Sequence, residues 1–379
     1  MRKATRVLTA LVLAAMCVPA ADTALGGGGR TADDAVRSAA RWTVRYTASG
    51  DENSAMRVIP TASGGAWLFT TGARRPGWSM LRWDGTSWKR STPPKQFDKA
   101  WSLEVGGSPS GETIWAAASV AHGDEDASTE HLWRFSDGRW THQFSRDATW
   151  TGVIDIAVSS RDDAWFVTSM DPDGAPSAVL RWDGRALRYQ EGPGEFDMTA
   201  VAAAGPNDVW VVSRRQGPRT LHWNGAAWKE VDHPCVAESV RSPCRGRRHL
   251  AWMSLTAQPD GRAWAVGPAS ADGGSPIVLH WDRTRWTQVS LNVVQTGLTA
   301  VRTDPVSGLW IAASPASGAP YVLNLRDGRW TRSTLPGGGP ADRIIDIAPA
   351  PGTTRLWVHT VRRELAGDKE VRTVYELVQ

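Results

Sequence analysis

Hydrophobic and polar residues alternate along most of this chain in short segments that recur at nearly constant distances. In seven places an alternating segment is followed by a turn of Gly, Asp, Asn or Pro and then by a Trp that opens a second apolar segment. Alternation with a period of two is typical of half-buried β-strands, and these turn residues separate strands. Each place therefore predicts a β-hairpin. The seven hairpins cover residues 56–70, 102–119, 153–169, 198–213, 253–267, 298–314 and 344–360.

The spacing of these hairpins predicts the architecture. Their tryptophans lie between 45 and 54 residues apart, which is the length of a four-stranded propeller blade. The positions are Trp67, Trp115, Trp165, Trp210, Trp264, Trp310 and Trp357.

A second pattern follows each of the first six hairpins: a strand, a turn containing Asp-Gly, Asn-Gly or Asp-Arg, and another strand. Two large apolar residues always lie five positions apart across the turn. Asp-Gly and Asn-Gly adopt the positive φ angles that tight hairpins need. Each repeat is therefore two hairpins, with strands a, b, c and d. The apolar pairs are Trp83/Trp88, Phe135/Trp140, Trp182/Leu187, Trp223/Trp228, Trp281/Trp286 and Leu325/Trp330.

The seventh repeat lacks its fourth strand, because the chain stops after VYELVQ at 374–379. Residues 41–47 (RWTVRYT) carry the missing pattern, with Trp42 in the position that pairs with Leu377. Pairing the two termini leaves no open sheet edge. The sequence thus predicts an all-β, seven-bladed propeller of four-stranded antiparallel blades, closed by the N-terminal strand, over residues 41–379.

The segment NDVWVVS at 207–213, followed by TLHWNGAAWKEV at 220–231, resembles the Trp-rich repeat of exported bacterial β-propellers of the actinobacterial type. That resemblance implies the fold and says little about activity. WDGTSW at 83–88 is distantly similar to the Asp-box of sialidase and kelch-type propellers, although its Asp is one residue too close to the Trp. Function has to be argued from a site.

The first twenty residues predict an export signal. Arg2, Lys3 and Arg6 form its charged start, an apolar stretch follows, and Ala20 is the small residue expected before the cleavage site. A lipid anchor at Cys17 is the alternative, although Met16 stands where that signal requires a small residue. We therefore expect a secreted protein with a flexible, Gly-rich segment at 21–40 and a disulfide between Cys235 and Cys244. No later stretch is apolar enough to span a membrane.

Charge argues against nucleic acid as a partner. The whole chain has 43 basic and 39 acidic residues, a net charge of +4, but three of the basic residues lie in the first twenty. The remainder is nearly neutral, with 40 basic and 39 acidic residues, so it lacks the excess of positive charge that is typical of nucleic-acid-binding proteins.

Five tryptophans lie outside the repeat positions, and three of them point to a binding face. Trp101, Trp150 and Trp252 precede inner strands, as does Phe196, on the face where propellers usually bind ligands. Exposed aromatic rings there stack on sugars or grip a peptide, and the alternative is that they fold back over the core. The long connection 231–252 adds Arg245, Arg247 and Arg248, which suit a carboxylate or phosphate unless they are merely solvated.

Two groups of charged residues suggest further sites. Asp124, Glu125, Asp126 and Glu130 are predicted to form an acidic loop between strands b and c of the second blade, solvated unless it binds calcium. Alternation on the inner strands also places charged side chains in the central channel, where carboxylates bind a cation or act as an acid–base pair. These channel residues are Arg57, Glu104, Asp155 and Asp346.

The sequence favours a non-catalytic binding or interaction propeller that recognises a glycan, a cell-wall component or another protein, without cofactor or metal. No HExxH, GxSxG, CxxC or P-loop motif is present. Two alternatives stay open: a glycan-active hydrolase or lyase that uses the channel carboxylates, and a protein-interaction scaffold with no small-molecule ligand.

Overall fold

The computed structural model describes residues 40–51, 56–71, 77–122, 124–147, 152–169, 177–190, 197–213, 219–234, 254–267, 276–291, 296–363 and 369–379. These residues form 28 strands and one short 3-10 helix at Lys95–Lys99. The strands are β1 Arg41–Asp51, β2 Met56–Pro60, β3 Ala66–Thr71, β4 Trp78–Trp83, β5 Trp88–Ser91, β6 Ala100–Gly107, β7 Ile114–His122, β8 Asp124–Ser136, β9 Arg139–Asp147, β10 Val153–Ser160, β11 Asp163–Thr168, β12 Val179–Trp182, β13 Leu187–Gln190, β14 Met198–Gly205, β15 Asp208–Ser213, β16 Arg219–Trp223, β17 Trp228–Val231, β18 Ser254–Ala257, β19 Ala263–Gly267, β20 Ile277–Trp281, β21 Trp286–Gln288, β22 Thr296–Asp304, β23 Gly308–Pro315, β24 Tyr321–Arg326, β25 Arg329–Thr334, β26 Asp342–Pro349, β27 Arg355–Arg363 and β28 Lys369–Val378.

In the described part of the chain the strands form seven antiparallel sheets of four. Blades 1 to 6 each take four consecutive strands, beginning with β2, β6, β10, β14, β18 and β22. Blade 7 has the order β26, β27, β28, β1. The first strand of every blade contacts the first strands of both neighbouring blades, so the seven inner strands form a closed ring around an axis. The predicted seven-bladed propeller is confirmed.

The N-terminal strand closes the ring as predicted. β1 pairs antiparallel with β28, and Trp42 lies directly opposite Leu377. The same pairing joins Leu325 and Trp330 in blade 6. Glu376, buried between β27 and β1, forms ion pairs with Arg45 and Arg355 and so ties both strands of the seam.

The outer hairpins keep the predicted pairing but use two kinds of turn. Each of the six apolar pairs lies directly opposite across strands c and d. Only the turns at Asp137-Gly138 and Asp327-Gly328 take positive φ at both residues. In the turn after Trp83, only Gly85 does, and the Asp84 carboxylate accepts the N–H groups of Thr86 and Ser87. The side chain of Asp84 therefore caps this turn, because Asp84 lies one position before the bend.

The core lies between the blades, where the repeat tryptophans pack. Trp115, Trp165, Trp210, Trp310 and Trp357 are among the largest fully buried side chains. A residue of strand c stacks on several strand-b tryptophans: the ring centroids of Trp210 and His222 and of Trp264 and His280 are both 4.2 Å apart. These two histidines therefore belong to the packing.

Blade 2 departs from the others in the length of its outer strands. β8 and β9 have 13 and 9 residues, whereas the outer strands of blades 1 and 3 to 6 have three to six. The segment 124–130, predicted as an acidic loop, is part of β8, so that prediction is wrong. β7 pairs with residue 124 and with residues 128–130 of this segment, and β9 pairs with residues 129 and 130.

Candidate functional site

The inner strands bring six polar side chains together around the axis, which we call the channel ring: Arg57, Glu104, Asp155, Ser254, Arg302 and Asp346. Arg57 donates to Glu104 across the blade 1–2 boundary, with Nη2 and Oε2 3.2 Å apart. Arg302 donates to Asp346 across the blade 6–7 boundary at 2.9 Å. Between 18% and 37% of each of these four side chains is exposed, so the ring is partly solvated.

The channel ring satisfies backbone groups that the sheets leave unpaired. An inner strand is the axial edge of its blade, and unpaired N–H and C=O groups at an edge need other partners. Asp155 accepts the N–H of Val201 in the next blade at 2.8 Å, and Ser254 accepts that of Val301 at 3.1 Å. The channel side chains therefore hold neighbouring blades together.

Asp155 is the channel carboxyl with the most perturbed titration. Burial, together with the charge of Glu104, raises its pKa to about 6, and the hydrogen bond from Val201 opposes the shift. The Arg57 guanidinium is held in its charged form, because the carboxylate of Glu104 raises its pKa. A carboxyl with a raised pKa suits a general acid. Here, however, Glu104 is ion-paired and Asp155 accepts two backbone N–H groups.

Sequence reasoning missed Arg302. It lies two residues beyond Ala300, the expected channel position of blade 6, and on the same face of β22. Arg302 donates to Ser254 at 2.7 Å and to Asp346, and so links blades 5, 6 and 7. A signal was present, because the equivalent positions of the other repeats hold uncharged residues. These are Ile59, Gly106, Ala157, Ala202, Thr256 and Ala348.

Trp101 lies on the rim of the channel, at the second residue of β6. A β-bulge between Ala100 and Ser102 holds it, and its side chain is 48% exposed. Bulges of this kind redirect a side chain out of the regular strand pattern. A bulge at Ile345 of blade 7 likewise leaves that side chain 36% exposed. Among the 20 tryptophans that the structure describes, Trp101 alone is exposed.

The remaining predicted site residues lie outside the described part of the chain. This set comprises Trp150, Phe196, Trp252, Arg245, Arg247 and Arg248, together with the cysteines Cys235 and Cys244. The top-face site and the disulfide therefore stay predictions.

Glu130, predicted to be solvated, is completely buried and links two blades. Its carboxylate accepts from Arg146 Nε at 2.8 Å and from the N–H of Val153 at 2.5 Å. Val153 is the first residue of the inner strand of blade 3. Sequence reasoning read the local excess of acidic residues as a loop. The pairing of β8 instead turns this side chain inward.

A cleft on the opposite face, at the a–b and c–d turns, was not anticipated. It has a volume of about 640 Å³ and lies between blades 1, 2 and 3. Seven Ser and Thr side chains line it, with Arg82, Arg161, Glu112 and Asp137. Arg161 and Asp137 form an ion pair, and Arg82 lies over the Trp67 ring. The lining mixes polar and apolar groups and is balanced in charge, so it suits a neutral ligand better than an ion.

In the part of the chain that the structure describes, no helix is long and apolar enough to cross a membrane. No group of three or more His, Cys, Asp or Glu residues there is arranged to hold a metal ion.

No family model matches the chain, and no curated protein matches it. Solved structures do resemble it. YCF48 bound to D1 peptide superimposes with a TM-score of 0.54 at 13% identity, over 88% of this chain and 97% of that one. A prolyl endopeptidase gives 0.54 at 13% identity, over 84% of this chain and 45% of that one. The SapL1 lectin in complex with alpha methyl fucoside gives 0.46 at 14% identity, over 75% and 97%. At 13% identity, the likeness to the first two structures shows the fold alone.

Proposed function

We propose that this chain is an exported, non-catalytic binding propeller that recognises a glycan or cell-wall polymer at the rim of its channel. The observation that carries the proposal is the exposure of Trp101, 48% on the rim, when every other described tryptophan is buried or half-buried. An exposed Trp presents a large rigid apolar face, and such faces stack on sugar rings.

The position of Trp101 supports a role outside packing. The repeat does not require an aromatic ring there, since the bulge residues of three other blades are Ile154, Thr199 and Thr299. Trp150, Phe196 and Trp252, which the sequence predicts on the same face, would extend this surface. Arg245, Arg247 and Arg248 would add charge-assisted hydrogen bonds to an acidic sugar.

Catalysis in the channel is the second candidate, and one observation favours it: the raised pKa of Asp155 beside Glu104. Its weakness is that the carboxylates already have structural partners. If the channel is catalytic, Asp155→Asn and Glu104→Gln would abolish product formation from a bound glycan while Trp101→Ala weakened binding only.

The proposal is tested by screening residues 21–379 against glycans and cell-wall polymers, and then comparing Trp101→Ala with Tyr189→Ala. Tyr189 is the matched control, because it is 60% exposed but lies on β13, an outer strand. Losing an aromatic anchor costs ~1–3 kcal/mol, so we expect Trp101→Ala to weaken binding about ten- to a hundredfold. Tyr189→Ala should leave the affinity unchanged.

Three results would contradict the proposal. Equal affinities of the two variants would place the site elsewhere, and the cleft beside Arg82 is then the next surface to probe. A large fall in Tm for Trp101→Ala would show that Trp101 belongs to the core. A screen that finds protein ligands and no saccharide would favour the scaffold alternative.

A further inference from the structure

Blade 2 carries three of the eight histidines, two of them on its long outer hairpin. His131 lies on β8, His142 on β9 and His122 at the end of β7. His222 and His280 stack on core tryptophans and His359 is buried, so those histidines have packing roles. The three on blade 2 do not stack on a strand-b tryptophan, and two of them contact the same atom.

The shared atom is the Oγ of Ser145. His131 Nδ1 lies 2.9 Å from it, and His142 Nε2 also lies 2.9 Å from it. The ring centroids of the two histidines are 5.6 Å apart. Two imidazole nitrogens from neighbouring strands therefore point at one position on the surface. We call His131 and His142 the histidine pair.

A β-bulge creates this arrangement. In a regular strand, residues 142 and 145 would face opposite sides, because side chains alternate. The β8–β9 pairing shifts register between Leu132 and Trp133, which lie opposite Phe144 and His142, so Gln143 is the extra residue. The bulge thus returns His142 to the face of Ser145 and His131. Trp133 packs against the His142 ring, with centroids 4.9 Å apart, and restricts its rotation.

The geometry suits a transition metal. Zinc–imidazole nitrogen distances are ~2.0–2.1 Å, so each nitrogen needs to approach the shared position by only about 1 Å. Neutral imidazole is the form that binds metal, and both nitrogens of the histidine pair lie at the protein surface. Imidazole prefers Zn²⁺, Cu²⁺ and Ni²⁺ over Ca²⁺ and Mg²⁺.

We propose that the histidine pair binds a divalent transition-metal ion, Zn²⁺ or Cu²⁺, on the surface of blade 2. The ion replaces the hydroxyl of Ser145 between the two rings, and water completes its coordination. With two protein ligands the site is open and exchangeable, unlike a closed four-ligand structural site. The proposal is independent of glycan binding at the rim.

The experiment is a titration of residues 21–379, freed of metal with chelator, with Zn²⁺ by calorimetry and with Cu²⁺ by electron paramagnetic resonance. The variants are His131→Asn and His142→Asn, with His122→Asn as the matched control. His122 bonds to Thr129 Oγ1 and not to Ser145. Even outer-shell changes cost metal sites ~10–100-fold, so loss of either ligand should weaken binding by at least about tenfold.

We expect the Cu²⁺ spectrum to show two coordinated nitrogens in the original chain and one in each histidine-pair variant. Ser145→Ala should bind at least as tightly as the original, because it removes a competing hydrogen bond. The proposal is overturned if the original chain binds no ion, if neither histidine-pair variant weakens binding, or if His122→Asn weakens it equally. His142 is exposed, so its replacement should leave the Tm unchanged, and a lowered Tm would show that the variant is misfolded.

Discussion

The channel ring and the outer hairpin of blade 2 are both rich in polar side chains, but they use them differently. In the channel ring, polar side chains reach across blade boundaries: Arg57 to Glu104, Asp155 to Val201, Arg302 to Asp346. On blade 2, the contacts of the histidine pair stay within the blade, through Ser145. Polar contacts that cross blades are needed for the ring to close. Contacts within one blade are not, so that surface is free to carry function.

This comparison predicts that interior polar groups control stability and that the blade 2 surface does not. The largest effect is expected at Glu130, which joins blades 2 and 3. Removing one partner of a buried ion pair costs ~3–5 kcal/mol, so Glu130→Ala should lower the free energy of unfolding by about that amount.

The matched control is Glu230→Ala, because Glu230 forms a solvent-exposed ion pair with Arg219. Exposed pairs contribute ~0–1 kcal/mol. Urea denaturation of both variants measures the difference. Equal losses would mean that burial does not separate the two classes of polar group.

An intermediate effect is expected at His359, in the interior of blade 7 opposite Asp346. Burial, reinforced by the charges of Arg372 and Arg57, lowers its pKa from 6.5 to about 3. The unfolded chain therefore takes up a proton below pH 6.5 that the folded chain does not. Stability should fall by ~1.4 kcal/mol for each pH unit from 6.5 towards 3. His359→Gln should remove this slope, as measured by denaturation at pH 4 to 7.

Asp155 supplies the control of opposite sign. Its pKa is raised to about 6, so the folded chain binds the extra proton, and this contribution to stability is lost as the pH rises from 3.8 through 6. Asp155→Asn should therefore gain stability relative to the original chain as the pH rises. If both variants shift the profile in the same direction, one of the two assignments is wrong.

The smallest effect is expected at Trp101, whose side chain is about half exposed on the rim of the channel. Trp101→Ala should change the free energy of unfolding by no more than ~0.5 kcal/mol, as surface substitutions usually do. Trp165→Ala, at a fully buried repeat position, should cost ~3–5 kcal/mol. Thermal melts of the two variants sharpen the contrast. A comparable loss in both would assign Trp101 to the core and remove the basis for a rim site.

Much of the fold follows from local pattern. The seven regularly spaced tryptophans indicated the number of blades, and the five-residue spacing of pairs such as Trp83 and Trp88 indicated the register of the outer hairpins. Trp42 was paired with Leu377 on the same ground. Alternation also brought Arg57, Glu104, Asp155 and Asp346 to one ring. These features recur from blade to blade, so each copy supports the interpretation of the others. Strand pairing within blades 1 to 6 involves only segments that are neighbours in the sequence.

The tertiary structure determined which polar side chains form contacts between blades. Glu130 looked like a loop acid, and only the pairing of β8 with β9 and the start of blade 3 placed it inside. Arg302 joined the channel ring because Asp346 of the next blade lies within its reach. β-Bulges determine both the exposure of Trp101 and the alignment of His142 with Ser145. One extra residue in a strand moves the side chains beyond it to the opposite face of the sheet. The sequence by itself determined the repeat, because strand and turn preferences act over a few residues. Partners across blades depend on how separate sheets stack, and no local pattern encodes that.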